Sequence, residues 1–436
     1  MPREQPGSAN AASVHGRDLL ICLAIAIVLR GIVFWLYADE LSHDRDAYLA
    51  IARGVAEGRG FVDPERGTPT AFRPPVFILQ VAALSKTMPV AYCVAAINLF
   101  WGLVSVLATW QAGRWLGLMR AGRTLAALLV AIDPMLLQYS AQPMTEVTCA
   151  GLVALMIYWI VRRDACPAWR ELGVGLLFGT LVLCRPTFWP LAGLAAVFWG
   201  LERWRNPGPS SPPSLQSIPW RILAGVLLVV GPWVMRNQMV MGSPILTTTH
   251  GGYTLLLANN PVFYADVVQQ GWGTDWPKAS FDRWQADLQA RLVDELGPNA
   301  SEQDRDRWQS RTARRFIADE PAGFRQAVLY RIRSLWRTTP QGDAAAATGS
   351  RIVRAVGWYY AIVLMAFGVG VVRVFWQAIR DRGTGRSRSW VPLFLGLLTL
   401  QAVHFVYWTN ARMRAPIVPV ISLFAVAALK RPADLS

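Results

Sequence analysis

The chain has 436 residues, 53% hydrophobic and only 16% charged, with a mean hydropathy of +0.29, which excludes an ordinary water-soluble enzyme of this length. Its net charge of +15, from 43 Lys plus Arg against 28 Asp plus Glu, would suggest nucleic acid in a soluble protein. Here most arginines stand in short loops between apolar runs, where they set orientation in a lipid bilayer, so nucleic acid is excluded as a partner.

Apolar runs of spanning length predict an all-α polytopic membrane protein with about ten transmembrane helices. A polar cytoplasmic tail, 1–17, precedes a first span at 18–38, which has no small-residue cleavage site and reads as a retained helix. An outer loop with surface helices, 39–89, follows. Spans are expected near 91–112, 122–141, 146–161, 171–184, 186–201 and 221–241, with Arg185-Pro186 parting two of them. Together, 18–261 form an N-terminal transmembrane catalytic module. The segment 262–347 is predicted as a small periplasmic helical excursion lying on the bilayer, from stripes at Trp284, Leu288, Leu292 and at Phe316, Phe324, Leu329, Ile332, Trp336 that can bury against lipid headgroups or neighbouring spans. The C-terminal part, 348–436, holds spans near 352–376, 389–409 and 415–430.

Loop charge supports this parity independently. With the N-terminus inside, the inner loops carry Arg114, Arg120, Arg123, then Arg162, Arg163, Arg170, then Arg203 and Arg205. Arg373, Arg380, Arg382, Arg386, Arg388 and the final Lys430-Arg431 continue the pattern. Asn206 to Pro213 reads as a flexible inner linker. Cys22, Cys93, Cys149 and Cys184 fall in spans and Cys166 in a basic loop, so no disulfide or zinc spacing is present. The tryptophans read mostly as interfacial anchors.

This topology gathers unusual polar residues on one side. Asp39, Glu40, His43, Asp44, Asp46 and Arg73 lie in the first outer loop, and Glu146, Arg185, Arg236 and Asn237 sit at span ends. His250, Asn259, Asn260, Asn410, Arg412 and Arg414 follow. Ionisable groups at a membrane boundary are costly unless paired or solvated, which makes each a candidate. Asp44 and Tyr48, four apart, share a helix face; Asp44 can act as a general base toward an acceptor hydroxyl or amine, or can simply cap the helix. Asp44-Arg45-Asp46 looks like a metal-binding Asp-Xaa-Asp, but residues two apart on a helix diverge and Arg45 competes, so no metal is expected. Arg73, Arg185, Arg236, Arg412 and Arg414 can fork onto a phosphate; alternatively some pair with Glu146 or snorkel to headgroups. Arg30, deep in the first span, needs a partner. His250 and His404 lack metal-ligand spacing and read as structural.

Several segments resemble GT-C glycosyltransferases, nearest the bacterial protein-mannosyltransferase and aminoarabinose-transferase group. They are Asp44-Arg-Asp-Ala-Tyr48-Leu-Ala-Ile-Ala52, Glu57-Gly-Arg-Gly-Phe61, Ala71-Phe-Arg73-Pro-Pro75, Pro134 to Tyr139 with Glu146, and Leu183-Cys-Arg185-Pro-Thr187. Pro232-Trp233 with Arg236-Asn237, Gly251-Gly-Tyr253, Asn259-Asn-Pro261 and Arg412-Met-Arg414-Ala-Pro416 complete the series, so the likeness spans nearly the whole membrane portion. It implies transfer of a hexosyl or pentosyl group, with inversion, from a polyprenyl-phosphate donor to a glycan, lipid or protein acceptor at the periplasmic face of a bacterial inner membrane. No cofactor is implied. Asp44 takes the position of the family's loop acid, with Asp39, Glu40 and Glu146 as rivals because Arg45 stands where a second acid often follows. Arg73, Arg236 and Arg414 match arginines near the carrier phosphate, and Tyr48, Asn237 and Asn260 are expected at the substrate. A carrier or flippase for lipid-linked sugars is the alternative; it needs a polar path through the mid-bilayer, where the spans offer little beyond Arg30. The absence of an internal repeat also weakens it. A noncatalytic subunit is a third reading, which Arg45 permits.

Overall fold

The computed structural model describes residues 8–162, 167–205, 220–339, 349–380 and 387–429, so Arg163, Cys166, the 206–213 linker, Arg382, Arg386, Lys430 and Arg431 lie outside the described residues. The chain folds as a helical bundle. Its helices are α1 (Ser8–Leu36), α2 (Tyr48–Ala56), α3 (Pro75–Leu84), α4 (Val90–Trp115), α5 (Arg120–Ala131), α6 (Pro134–Ser140), α7 (Glu146–Val161), α8 (Pro167–Cys184) and α9 (Trp189–Arg205). There follow α10 (Trp220–Met241), α11 (Gly251–Ala258), the single turn α12 (Pro261–Phe263), α13 (Lys278–Leu296), α14 (Glu302–Asp319), α15 (Pro321–Leu335), α16 (Ser350–Arg380), α17 (Val391–Val403) and α18 (Val418–Ala427).

Among the described residues, four helices are long and apolar enough to cross a membrane alone: Gly16–Leu36, Val90–Trp115, Trp220–Met241 and Ser350–Arg380. They turn large apolar side chains outward, with Trp35 79% and Met239 78% exposed, the inverse of a water-soluble surface. The predicted span at 122–141 is broken. The Asp133 carboxylate accepts from the Leu136 amide at 2.9 Å, Pro134 opens the new helix, and α5 meets α6 at 45°. Further apolar helices are shorter, Pro75–Leu84, Glu146–Val161 and Arg388–Val403 among them. Helix α1 begins at Ser8, within the expected tail at 1–17, and the part of it apolar enough to cross a membrane begins at Gly16.

Arg30 is fully buried; its Nη1 reaches the Ala26 carbonyl at 3.4 Å and the Ala131 carbonyl at 3.5 Å, with Asp133 within electrostatic reach. These are partners for only part of a guanidinium at this depth, since its Nε and Nη2 make no hydrogen bond. The cysteines Cys22, Cys93, Cys149 and Cys184 are free and buried.

In the segment after α12 the first apolar stripe is buried inside the protein, whereas Leu329 of the second is 57% exposed. Trp284, Leu288 and Leu292 of α13 bury with Trp308 and Ala313 of α14 against Leu255, Leu256 and Leu257 of α11. Arg331 of α15 is 1% exposed and donates to the Ala258 and Phe405 carbonyls at 2.7 and 3.0 Å. These helices therefore pack as a cap with its own core on the bundle. Gly252 permits the closest approach, because a Cβ there would overlap the Asp306 carbonyl of α14.

Candidate active site

Between the first loop, the ends of α7 and α8, and the cap lies a cavity of about 920 Å³. The loop reaches it through a sharp turn. Ala47 has φ 61°, a left-handed backbone, and immediately precedes α2, so Asp46 and Tyr48 on either side of it both line the cavity. Arg73, just before the Pro74-Pro75 start of α3, donates from Nη2 to Asp46 Oδ1 and from Nε to the Asp46 carbonyl, both at 2.8 Å, and its guanidinium lies 5.5 Å from the Tyr48 ring.

Glu146 opens α7 and is 3% exposed. Its Oε1 stands 3.5 Å from Arg185 Nη1 and 3.3 Å from Arg412 Nε, so one carboxylate holds two guanidiniums at the wall. Arg185 occupies the break between α8 and α9, and Arg412 the turn of 3-10 helix before α18. The two groups are one cluster. Burial pushes the Tyr48 phenol up to about 12, Arg73 and Arg185 opposing and Glu146 and Asp46 reinforcing, so all four charges act on one ring. His250 also lines the cavity; burial, then Arg73 and Arg412, lower its pKa to about 3, which keeps the imidazole neutral.

Tyr48, Arg73, Glu146, Arg185 and Arg412 thus converge as the sequence suggests. Other expected residues do not. Asp44 lies outside the cavity lining; its Oδ2 accepts from the Ala50 amide at 2.7 Å, the helix-capping role, and its Oδ1 is buried without a partner. Asp39 is exposed, and Glu40 pairs with Arg45 at 2.9 Å on the surface. Arg236 clamps the loop, donating to the Phe61 and Thr70 carbonyls at 2.8 and 2.9 Å. Arg414 is 1% exposed and donates to the Leu335 and Arg337 carbonyls at 2.9 and 2.5 Å, tying the chain before α18 to the end of α15. Asn237 bridges Arg236 and the Ile245 carbonyl, and Asn260 caps α12 through the Phe263 amide at 2.8 Å. These four carry backbone, because main-chain carbonyls and amides buried away from water need partners.

The sequence reading passed over the face of α14 that closes the cavity: Glu302, Arg305, Asp306 and Gln309, spaced i, i+3, i+4 and i+7. Glu302 accepts from Thr70 Oγ1 at 2.8 Å and the Ala71 amide at 3.1 Å, and Asp306 from the Gly252 amide at 2.6 Å. That polar periodicity opposite Trp308 was the available signal.

Among solved structures, the chain is similar to the oligosaccharyltransferase AglB of the archaeon Archaeoglobus fulgidus in complex with an inhibitory peptide and a dolichol-phosphate, at 14% identity and TM-score 0.53, over 95% of this chain and 50% of that one. The apo form of the Archaeoglobus fulgidus oligosaccharyltransferase is similar at 12% identity and TM-score 0.55, over the same shares. The fold is GT-C. ArnT of Cupriavidus metallidurans bound to undecaprenyl phosphate aligns at 12% identity and TM-score 0.42, over 95% of this chain and 78% of that one. The chain spans about half the length of the archaeal structures it matches. No family model and no curated protein matches it.

Proposed function

We propose that this chain is a membrane glycosyltransferase that moves a hexosyl or pentosyl group, with inversion, from a polyprenyl-phosphate carrier to a glycan, lipid or protein of the envelope, at the periplasmic face of a bacterial inner membrane. The observation that carries the reading is a single cavity lined by Asp46 paired with Arg73 and by Glu146 paired with Arg185 and Arg412. Three guanidiniums against two carboxylates leave this cluster one positive charge in excess, which suits a phosphate monoanion.

The acceptor hydroxyl loses its proton to a loop carboxylate as its oxygen attacks the anomeric carbon. The bond from that carbon to the phosphate oxygen breaks, and the electron pair leaves with the polyprenyl phosphate. Arg185 and Arg412 stabilise the charge growing there. Asp46 and Asp63 are the loop acids that line the cavity; Asp63 is engaged by the Glu65 and Arg66 amides, so we assign the proton to Asp46, and Asp44, at the family's acid position, anchors α2 and so positions Asp46 and Tyr48. Purified protein in nanodiscs, supplied with undecaprenyl-phosphate sugars and an envelope extract, tests the roles. Asp46→Asn is expected to lower turnover at least ~10²-fold, the usual worth of a positioned base, and Asp44→Asn less. Wild-type turnover by Asp46→Asn would refute the assignment, and loss confined to Asp44→Asn would return the role to Asp44.

A further inference from the structure

His404 follows the last residue of α17 and is 1% exposed, yet it lines the cavity. Its Nδ1 lies 3.1 Å from Thr409 Oγ1. That hydroxyl has a nearer acceptor in the Tyr407 carbonyl at 2.8 Å. With its proton there it accepts from Nδ1–H, the tautomer that leaves Nε2 as a bare lone pair.

Nε2 is buried without a partner, a state that is costly for a polar atom. The nearby cations do not supply the missing donor. Arg185 is engaged by Glu146 and by Met413 Sδ at 2.9 Å; Arg331 donates from Nε and Nη1 to the Phe405 and Ala258 carbonyls, and its Nη2 makes no hydrogen bond to the ring. Their charges act on the ring and disfavour an ammonium group arriving beside it. Carboxylates and phosphate oxygens cannot donate. What remains is a neutral donor, an O–H or an acylamino N–H, and of these the O–H is the group that every sugar carries.

We propose that His404 Nε2 accepts a hydrogen bond from a hydroxyl of the transferred sugar, making His404 a specificity-determining residue for a donor that bears a hydroxyl, not a free amine, at that position. The inference rests on the glycosyltransferase reading and deepens it. No proton is transferred: the ring holds the sugar against the wall that carries Glu146, Arg185 and Arg412.

The test uses the full chain labelled with 15N-histidine in nanodiscs, with His404→Gln assigning the signal. The free protein is expected to show a neutral Nδ1–H tautomer at His404. Undecaprenyl-phosphate hexoses should shift the Nε2 resonance toward the hydrogen-bonded range, whereas undecaprenyl phosphate alone binds without moving it. In turnover, His404→Phe should raise KM for the sugar-bearing donor about tenfold, roughly one lost hydrogen bond, while binding of undecaprenyl phosphate stays at the wild-type level. An Nε2–H tautomer in the free protein, or saturating binding of sugar-bearing carriers with Nε2 unmoved, overturns the inference and leaves the transferase reading standing. Failure of every carrier to bind overturns that reading, and the inference with it.

Discussion

Ala47 is, among the described residues, the one non-glycine with a left-handed backbone, and it sits between two cavity side chains. A β-carbon in that region costs roughly 1–2 kcal/mol, and such strain persists where the surroundings over-determine it. Ala47→Gly is therefore expected to leave the thermal midpoint in detergent unchanged or raised. Ala47→Val should lower it and cut turnover, because the turn presenting Asp46 and Tyr48 can no longer form; an unaffected Ala47→Val protein would show the turn to be unimportant. His250 gives a pH prediction. Its folded pKa, about 3, lies below the unfolded value of 6.5, so the unfolded chain binds the extra proton between those limits. Its contribution is complete above pH 6.5 and is lost as pH falls toward 3, and His250→Phe should flatten that part of the stability profile. Residue types alone made Arg73, Glu146, Arg185 and Arg412 legible as candidates. They could not separate these from Arg236 and Arg414, because a guanidinium that holds main-chain carbonyls looks the same in sequence as one that faces a ligand.

The elements were legible where hydrophobic period and loop charge agreed, as for α4, α10 and α16, and less so where capping chemistry intervened. The Asp133-Pro134 break inside one apolar run shows this, since run length carries no information about a 45° bend. The stripe on α13 was legible, but whether lipid headgroups or neighbouring helices cover it was not: an amphipathic face reports that something covers it, not what. Two contacts hold loop and cap in place and can be tested separately. Arg236→Ala removes the donors to the Phe61 and Thr70 carbonyls and should destabilise by about 1.5–3 kcal/mol. Faster proteolysis within 57–70 is the accompanying sign, and a stability within error of wild type would mean the clamp is idle. Gly252→Ala should push α11 from α14, lowering the thermal midpoint and loosening the Asp306 bond to the Gly252 amide. Hydrogen exchange at that amide reads this directly, and unchanged protection would contradict it.

At the scale of the whole molecule, the functional claim depends on segments far apart in sequence meeting at one wall: the first loop, the start of α7, the α8–α9 break and the turn before α18. The order of motifs made that convergence an expectation, whereas the choice of Asp46 over Asp44 at the cavity needed coordinates, because it depends on the single left-handed residue that precedes α2. The most direct measurement is the affinity of the purified full chain for undecaprenyl phosphate, followed by the quenching of its 20 tryptophans, in wild type, Arg412→Gln, Arg185→Gln and the surface variant Arg45→Gln. Arg412→Gln and Arg185→Gln are each expected to weaken binding at least about tenfold, equivalent to about 1.4 kcal/mol, with Arg45→Gln unchanged. Wild-type affinity in both cavity variants, or equal losses in all three, would contradict the assignment of this cavity to the carrier phosphate.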